Sequence, residues 1–202
     1  MTGSLPQAPK PAAVTGCILA GGLGRRLGNR DKGLLELHGR ALVAHVIERF
    51  APQVDNLLLS VNRNQARYHA YCSQLVGDDT ADSGGPLAGI AAALAHTTTP
   101  WLAVVPCDSP FLPRRLVATL MQGLAHAPAE IAVARTADGL QPLFAVIATH
   151  LAPSLVAYIA QGGRKVAAWY GQHAVAEVDY DHERRSFMNI NTLADLTIAA
   201  QR

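Results

Sequence analysis

Short, continuous apolar blocks alternate along this chain with longer segments in which apolar residues recur at helical spacing, and that alternation predicts an α/β protein with a mainly parallel sheet flanked by helices. Residues 17 to 20 form the first strand-compatible block. In Ala41 to Phe50, Leu42, Val43, Val46, Ile47 and Phe50 share one helical face, while Glu48 and Arg49 point away. Asn56 to Val61 reads as a buried strand, followed by a short helix from about Asn64 to Cys72 and a short strand at Leu75 and Val76. Leu87 to Ala95 is a small-residue helix, Trp101 to Val105 a buried strand, and Pro113 is placed to open the next helix. Strands near Glu130 to Arg135, Leu143 to Ile147 and Val175 to Val178 follow. They are interleaved with helices after Ala152, at Val166 to Tyr170 and after Thr192.

Composition bounds this outline. A chain of 202 residues, half of them hydrophobic, buries one sizeable core, so residues 16–202 are expected to form a single domain. The first 15 residues carry three prolines and no apolar run of signal-peptide length, and read as a flexible leader. The net charge of +2, with no basic block, gives no reason to expect a nucleic-acid or membrane partner. Cys17, Cys72 and Cys107 are widely spaced and odd in number, which fits a reducing cytoplasm.

The chemistry begins where the first strand ends. Gly21, Gly22 and Gly24 let backbone N–H groups turn toward an anion, and Arg25, Arg26 and Lys32 add positive charge. The loop lacks the Gly-Lys-Ser/Thr of a P-loop and the third glycine of a dinucleotide fingerprint, which demotes ATPase and dehydrogenase. A tight strand-to-helix turn with solvated basic residues is the plainer alternative. Asp78 and Asp79 follow the short strand, and Asp108 follows the apolar run ending at Val105. Ligands gather at such strand ends in α/β sheets. Asp108 there is either a Mg²⁺ ligand or a helix cap. Gly85 precedes a helix whose N-terminus faces back toward this edge.

Together, LAGG (19–22), RRLG (25–28), DKGLLEL (from Asp31), GPLAG (85–89), PCDSPFLP (106–113) and NINT (189–192) resemble the molybdenum cofactor guanylyltransferases. The likeness spans about residues 16 to 197. LAGG with a downstream lysine is common to many nucleotidyltransferases, whereas GPLAG, PCDSPFLP and NINT are more specific. The resemblance implies a Rossmann-like nucleotidyltransferase fold, and transfer of GMP from GTP to Mo-molybdopterin with release of pyrophosphate. It implies GTP contacts at Leu19, Ala20, Gly21, Gly22, Lys32, Ser60, Asn62, Asp78, Gly85 and Asp108. Arg25, Lys32 and Asp108 would carry the chemistry, with Mg²⁺ on Asp108. Ser60 stands where the family has asparagine. On the pterin side it implies Gln141, Arg164, Lys165, Asn189 and Asn191. Their plainer alternatives are a turn at Gln141-Pro142, a solvated helix start at Arg164-Lys165 and a helix cap at Asn191. The family's NTPEEL is NTLADL here, a weaker helix start with the asparagines intact. Transient contact with cofactor chaperones or acceptor enzymes is also implied.

Two rivals stand beside this reading. One is molybdopterin cytidylyltransferase or another nucleotidyltransferase of the same fold, against which GPLAG and PCDSPFLP favour guanine. The other is a non-catalytic GTP or molybdopterin carrier, against which Lys32 and Asp108 argue. The eight dispersed histidines and the buried-type Cys107 fit packing, and Ser83 and Ser109 have no histidine at a hydrolase spacing.

Overall fold

The computed structural model describes residues 13–20, 23–24, 30–77 and 85–202, with backbone alone at 23, 24 and 30. In chain order the strands are β1 (Val14–Leu19), β2 (Leu23–Gly24), β3 (Arg30–Asp31), β4 (Glu36–Leu37), β5 (Arg40–Ala41), β6 (Asn56–Ser60), β7 (Leu75–Val76), β8 (Trp101–Pro106), β9 (Ile131–Thr136), β10 (Gly139–Ala148) and β11 (Val175–Asp179). The helices are α1 (Leu42–Phe50), α2 (Gln65–Tyr68), α3 (Gly85–His96), α4 (Leu116–His126), α5 (Ala152–Ala160), α6 (Val166–Tyr170) and α7 (Leu193–Ala199).

Among the described residues, seven strands form one sheet in the order β11-β9-β10-β8-β1-β6-β7. Pairings β1·β6, β1·β8, β6·β7 and β9·β11 are parallel, so the mainly parallel α/β sheet expected from the alternation is present. Strand β10 runs against both neighbours. The reason is spacing: only Ala137 and Asp138 separate β9 from β10, too little chain for the crossover that a parallel pair requires. Gly139, at φ +109°, turns that hairpin. The β9·β10 ladder shifts register between Gln141 and Ala145, where Pro142 has no N–H to give.

Two apolar layers cover the sheet. Phe50, Val46 and Val43 of α1 belong to one buried cluster with Ile18, Leu59 and Val105, and α3 sets Leu87, Ile90 and Leu94 with Cys17, Val104 and Ile147 in the other. The alternation of β1 is visible in that split, with Ile18 and Cys17 facing opposite layers. Burial pushes the Cys17 thiol up to about 12, consistent with a packing role.

Several expected boundaries move. Strand β1 begins at Val14, so Val14 and Thr15 belong to the sheet and not to the 1–15 leader. Val14 is buried, and its N–H donates to Asp55 Oδ2 at 2.8 Å. The helix placed at 64–72 is confined to Gln65–Tyr68: Asn64, at φ +55°, stands outside its start, and beyond its end the Tyr71 and Cys72 N–H groups turn back onto the Tyr68 carbonyl. Helix α4 starts at Leu116, not Pro113, after a turn closed by the Leu116 N–H on the Pro113 carbonyl. No described helix is long and apolar enough to cross a membrane.

Candidate active site

The carboxyl ends of the three central strands meet at one edge. Leu19 stands in register with Ser60 on one side and Pro106 on the other. The ladder continues past the strands, with Ala20 N–H donating to the Ser60 carbonyl at 2.8 Å and Cys107 N–H to the Leu19 carbonyl at 3.1 Å. These bonds fix the direction in which the loops after β1, β6 and β8 leave the sheet, as expected for a ligand site at such an edge. A cavity of about 290 Å³ opens there.

Of the sequence-predicted residues, Leu19, Lys32, Ser60, Asn62, Gly85, Asp108, Asn189 and Asn191 line this cavity. Ala20 is buried beside it. Gly89, one turn into α3, also lines it. A Cβ on Gly89 would lie 2.6 Å from Ser60 Oγ and 3.0 Å from Leu19 Cδ2, so only glycine lets α3 come this close to the strand ends. Gly21, Gly22, Arg25 and Asp78 lie outside the described residues. Gln141, Arg164 and Lys165 do not line the cavity. Gln141 Nε2 donates to Thr136 Oγ1 at 3.1 Å inside the β9–β10 hairpin. The exposed Arg164 donates to the carbonyls of Ile159 and Gly163, at 3.3 and 2.8 Å, closing the end of α5. Lys165 is exposed at the start of α6.

At the floor of the cavity Lys32 Nζ donates to Asp108 Oδ2 at 3.1 Å and to Asn191 Oδ1 at 2.5 Å. Asp108 is 8% exposed, and its Oδ1 is buried without a hydrogen-bond partner. Burial raises the Asp108 carboxyl above the ordinary aspartate range, and the neighbouring Lys32 ammonium draws it only part of the way back. Burial also pushes the Cys107 thiol well up, with Asp108 and Asp31 adding to it, so Cys107 is a neutral wall of the cavity.

A second buried carboxylate holds the lysine's own segment. Asp31 accepts from Tyr68 Oη at 2.5 Å and from Asn64 Nδ2 at 3.0 Å. Burial, aided by Cys107 and Asp31, raises the Tyr68 phenol, so it stays protonated and able to donate. A Cβ on Gly33 would collide with the Tyr68 hydroxyl and crowd Cys107 Sγ, at 3.3 Å. The Asp31-Lys32-Gly33 turn is thereby pressed between α2 and the loop after β8.

The chain's last segment closes the site from the other side. Ile190 N–H donates to the Asp108 carbonyl at 2.9 Å, and Ser109 Oγ donates to Asn189 Oδ1 at 2.5 Å. Thr192, not Asn191, is the N-cap of α7. A reciprocal capping box with Asp195 supplies the helix start that NTLADL was expected to weaken. The sequence raises Ser109 only as a hydrolase serine, set aside for want of a histidine, and does not mark Asp195. The Thr-x-x-Asp spacing at 192–195 was the available signal for the second, and Ser109 had none.

The family model of the MobA-like NTP transferase domain matches residues 16–176. A molybdenum cofactor guanylyltransferase of Cupriavidus taiwanensis is 45% identical over 188 residues, covering 91% of this chain and 94% of that protein. The chain belongs to the MobA-like NTP transferase family. Another relative with the same name, from Ralstonia nicotianae, is 43% identical and covers 94% of this chain and 97% of its own length. Among solved structures, molybdopterin-guanine dinucleotide biosynthesis protein A from Archaeoglobus fulgidus superposes with a TM-score of 0.77 at 27% identity, covering 93% of this chain and 97% of that one. A 4-diphosphocytidyl-2C-methyl-D-erythritol synthase from Anaerococcus prevotii gives a TM-score of 0.71 at 14% identity, a likeness of fold alone.

Within this MobA-like frame, the donor set at the cavity suits a hard, largely hydrated cation. Among the described residues no three His, Cys, Asp or Glu side chains gather around a common point, so no all-protein metal cage is present. Asp108 instead offers one carboxylate with an unpaired buried oxygen, and Mg²⁺ commonly takes one or two carboxylates and completes its shell with water and phosphate oxygens.

Proposed function

We propose that this enzyme transfers GMP from GTP to Mo-molybdopterin, forming the guanine dinucleotide cofactor and pyrophosphate. The observation that carries the reading is the Lys32–Asp108 pair, with one Asp108 oxygen left open, at the strand edge of a chain 45% identical to a molybdenum cofactor guanylyltransferase. In the reaction an oxygen of the pterin's terminal phosphate bonds to the α-phosphorus of GTP. The bond from that phosphorus to the bridging oxygen breaks, and pyrophosphate leaves with the electron pair. No covalent enzyme intermediate is needed, so the protein's task is alignment and charge neutralisation.

Lys32 places a positive charge where the triphosphate enters, and Gly21, Gly22 and Arg25 are the loop residues that the family resemblance assigns to the same phosphates. Leu19, Ala20, Ser60, Asn62 and Gly85 bound the nucleoside half, to which the family resemblance also assigns Asp78. Asp108 would hold Mg²⁺, whose charge offsets the negative charge on the phosphates. Asn189 and Asn191 each turn an amide oxygen inward to the protein, which leaves their NH₂ groups as donors for the second, anionic substrate. Delivery to acceptor enzymes or cofactor chaperones, in the cytoplasm, would follow transfer.

The deciding experiment is pyrophosphate release with Mo-molybdopterin, Mg²⁺ and either GTP or CTP. GTP-dependent release with a clear preference over CTP is expected. Preference for CTP overturns the guanylyl assignment, and binding of both substrates without release makes the chain a carrier.

A further inference from the structure

Asp195 lies outside the cavity, yet its carboxylate grips the segment that reaches into it. Its Oδ2 accepts from the N–H of Thr192 at 2.9 Å, the bond an ordinary capping box makes. The same oxygen also accepts from the N–H of Asn191 at 2.9 Å, one residue before the cap. That extra bond fixes the backbone of the residue whose side chain meets Lys32. An ammonium can only donate, so the Asn191 amide must present its oxygen to Lys32. Ile190, fully buried and bonded through its N–H to the Asp108 carbonyl, anchors the segment from the other side.

The consequence falls on Lys32. Its side chain is 20% exposed and carries a flexible stem, and among the described residues two acceptors hold its ammonium: Asp108 Oδ2 and Asn191 Oδ1. Without the second acceptor, the ammonium can turn its donors to both oxygens of Asp108, the second of which has no partner among the described residues. We infer that Asp195 is a positioning residue, which through the backbone of Asn191 keeps Lys32 on one oxygen of Asp108 and leaves the other open. This inference rests on the roles proposed above for Lys32 and Asp108, and it adds a residue that touches neither substrate.

The test compares Asp195→Ala, Asp195→Glu and Ala194→Gly, the last a control that weakens the exposed side of α7 without touching Asn191. Two readouts are taken on the full chain. The first is acylation by an amine-reactive acetyl ester, with mass spectrometry giving modification of Lys32 relative to the exposed Lys165. The second is kcat and KM for GTP with Mg²⁺ and Mo-molybdopterin. In Asp195→Ala the Lys32 to Lys165 ratio should fall several-fold, because an ammonium straddling a buried carboxylate is held charged and away from the reagent. Its kcat should fall about tenfold or more, with a smaller change in KM. Asp195→Glu, which can still reach the cap, should restore both, and Ala194→Gly should move neither beyond its effect on melting temperature. A ratio in Asp195→Ala equal to that in Ala194→Gly overturns the inference, as does a kcat no lower than the control's. If the wild type releases no pyrophosphate from GTP while the labelling difference holds, the guanylyl reading falls and the positioning of Lys32 stands.

Discussion

Asp31 and Asp108 are buried to the same degree, each 8% exposed, and they stand on two sides of one lysine segment, yet they are held in opposite ways. Asp31 has a donor for each oxygen, the Tyr68 hydroxyl and the Asn64 amide. Among the described residues Asp108 has Lys32 on one oxygen and nothing on the other. Both carboxylates bear a desolvation cost, but only the first has its acceptors filled by the fold. Burial alone therefore does not mark a functional aspartate. The unfilled acceptor is what sets Asp108 apart as a candidate, because an unpaired carboxylate oxygen suits a ligand that brings its own positive charge.

Substitution should separate the two. The largest effect is expected for Asp108→Asn. Pyrophosphate release should fall about a thousandfold, in line with loss of a principal electrostatic contact. Its melting temperature should not drop, because a desolvated charge has been removed. A fall in both would place Asp108 with Asp31 as a structural carboxylate.

Asp31→Asn should do the reverse. One of the two donors then faces an amide NH₂, and an unsatisfied buried donor costs about 1–3 kcal/mol, readable from urea unfolding. Release per folded molecule should stay within about tenfold of wild type, since Lys32 keeps both of its own partners. Tyr68→Phe removes a single donor from the same carboxylate and should cost about 1 kcal/mol, with a smaller effect on turnover.

The smallest effect is one of pH. At Asp195 burial pushes the carboxyl up, but the Asn191 N–H and the Thr192 side chain and N–H outweigh it, and the net shift is downward. A depressed folded-state value means stability that is present above the ordinary aspartate range and lost as pH falls through the lower, folded value. The stability difference between wild type and Asp195→Asn should therefore be constant near neutrality and shrink in strong acid. Urea midpoints at neutral pH and near pH 3 measure it.

The same contrast shows what a linear reading could reach. The apolar blocks at β1, β6 and β8 and the residues just past them were legible, because a buried strand advertises itself by composition and its carboxyl end by position. Leu19, Lys32, Ser60, Asn62, Asp108, Asn189 and Asn191 all line one cavity as a result. The antiparallel course of β10 was hidden because its length and apolar character suit either direction. Only the two-residue link before Gly139 decides it. The partners of Asp31 were hidden for another reason: Tyr68 lies 37 residues away, on a helix of four, with nothing in its neighbourhood to say which way it faces. Ser109 and Asp195 act on side chains 80 residues away and on a backbone N–H four residues away, and neither relation leaves a pattern of hydrophobicity.

The bond from Lys32 to Asn191 joins residues 159 positions apart. On a ribosome adding about 5–20 residues per second, roughly 8 to 32 s pass between the synthesis of its two ends. Throughout that interval the nascent chain can assemble most of its sheet while Lys32 still lacks its amide partner. Lys32 reaches its final place only when translation has delivered the segment around Asn191, so completion of the candidate site trails formation of the central sheet.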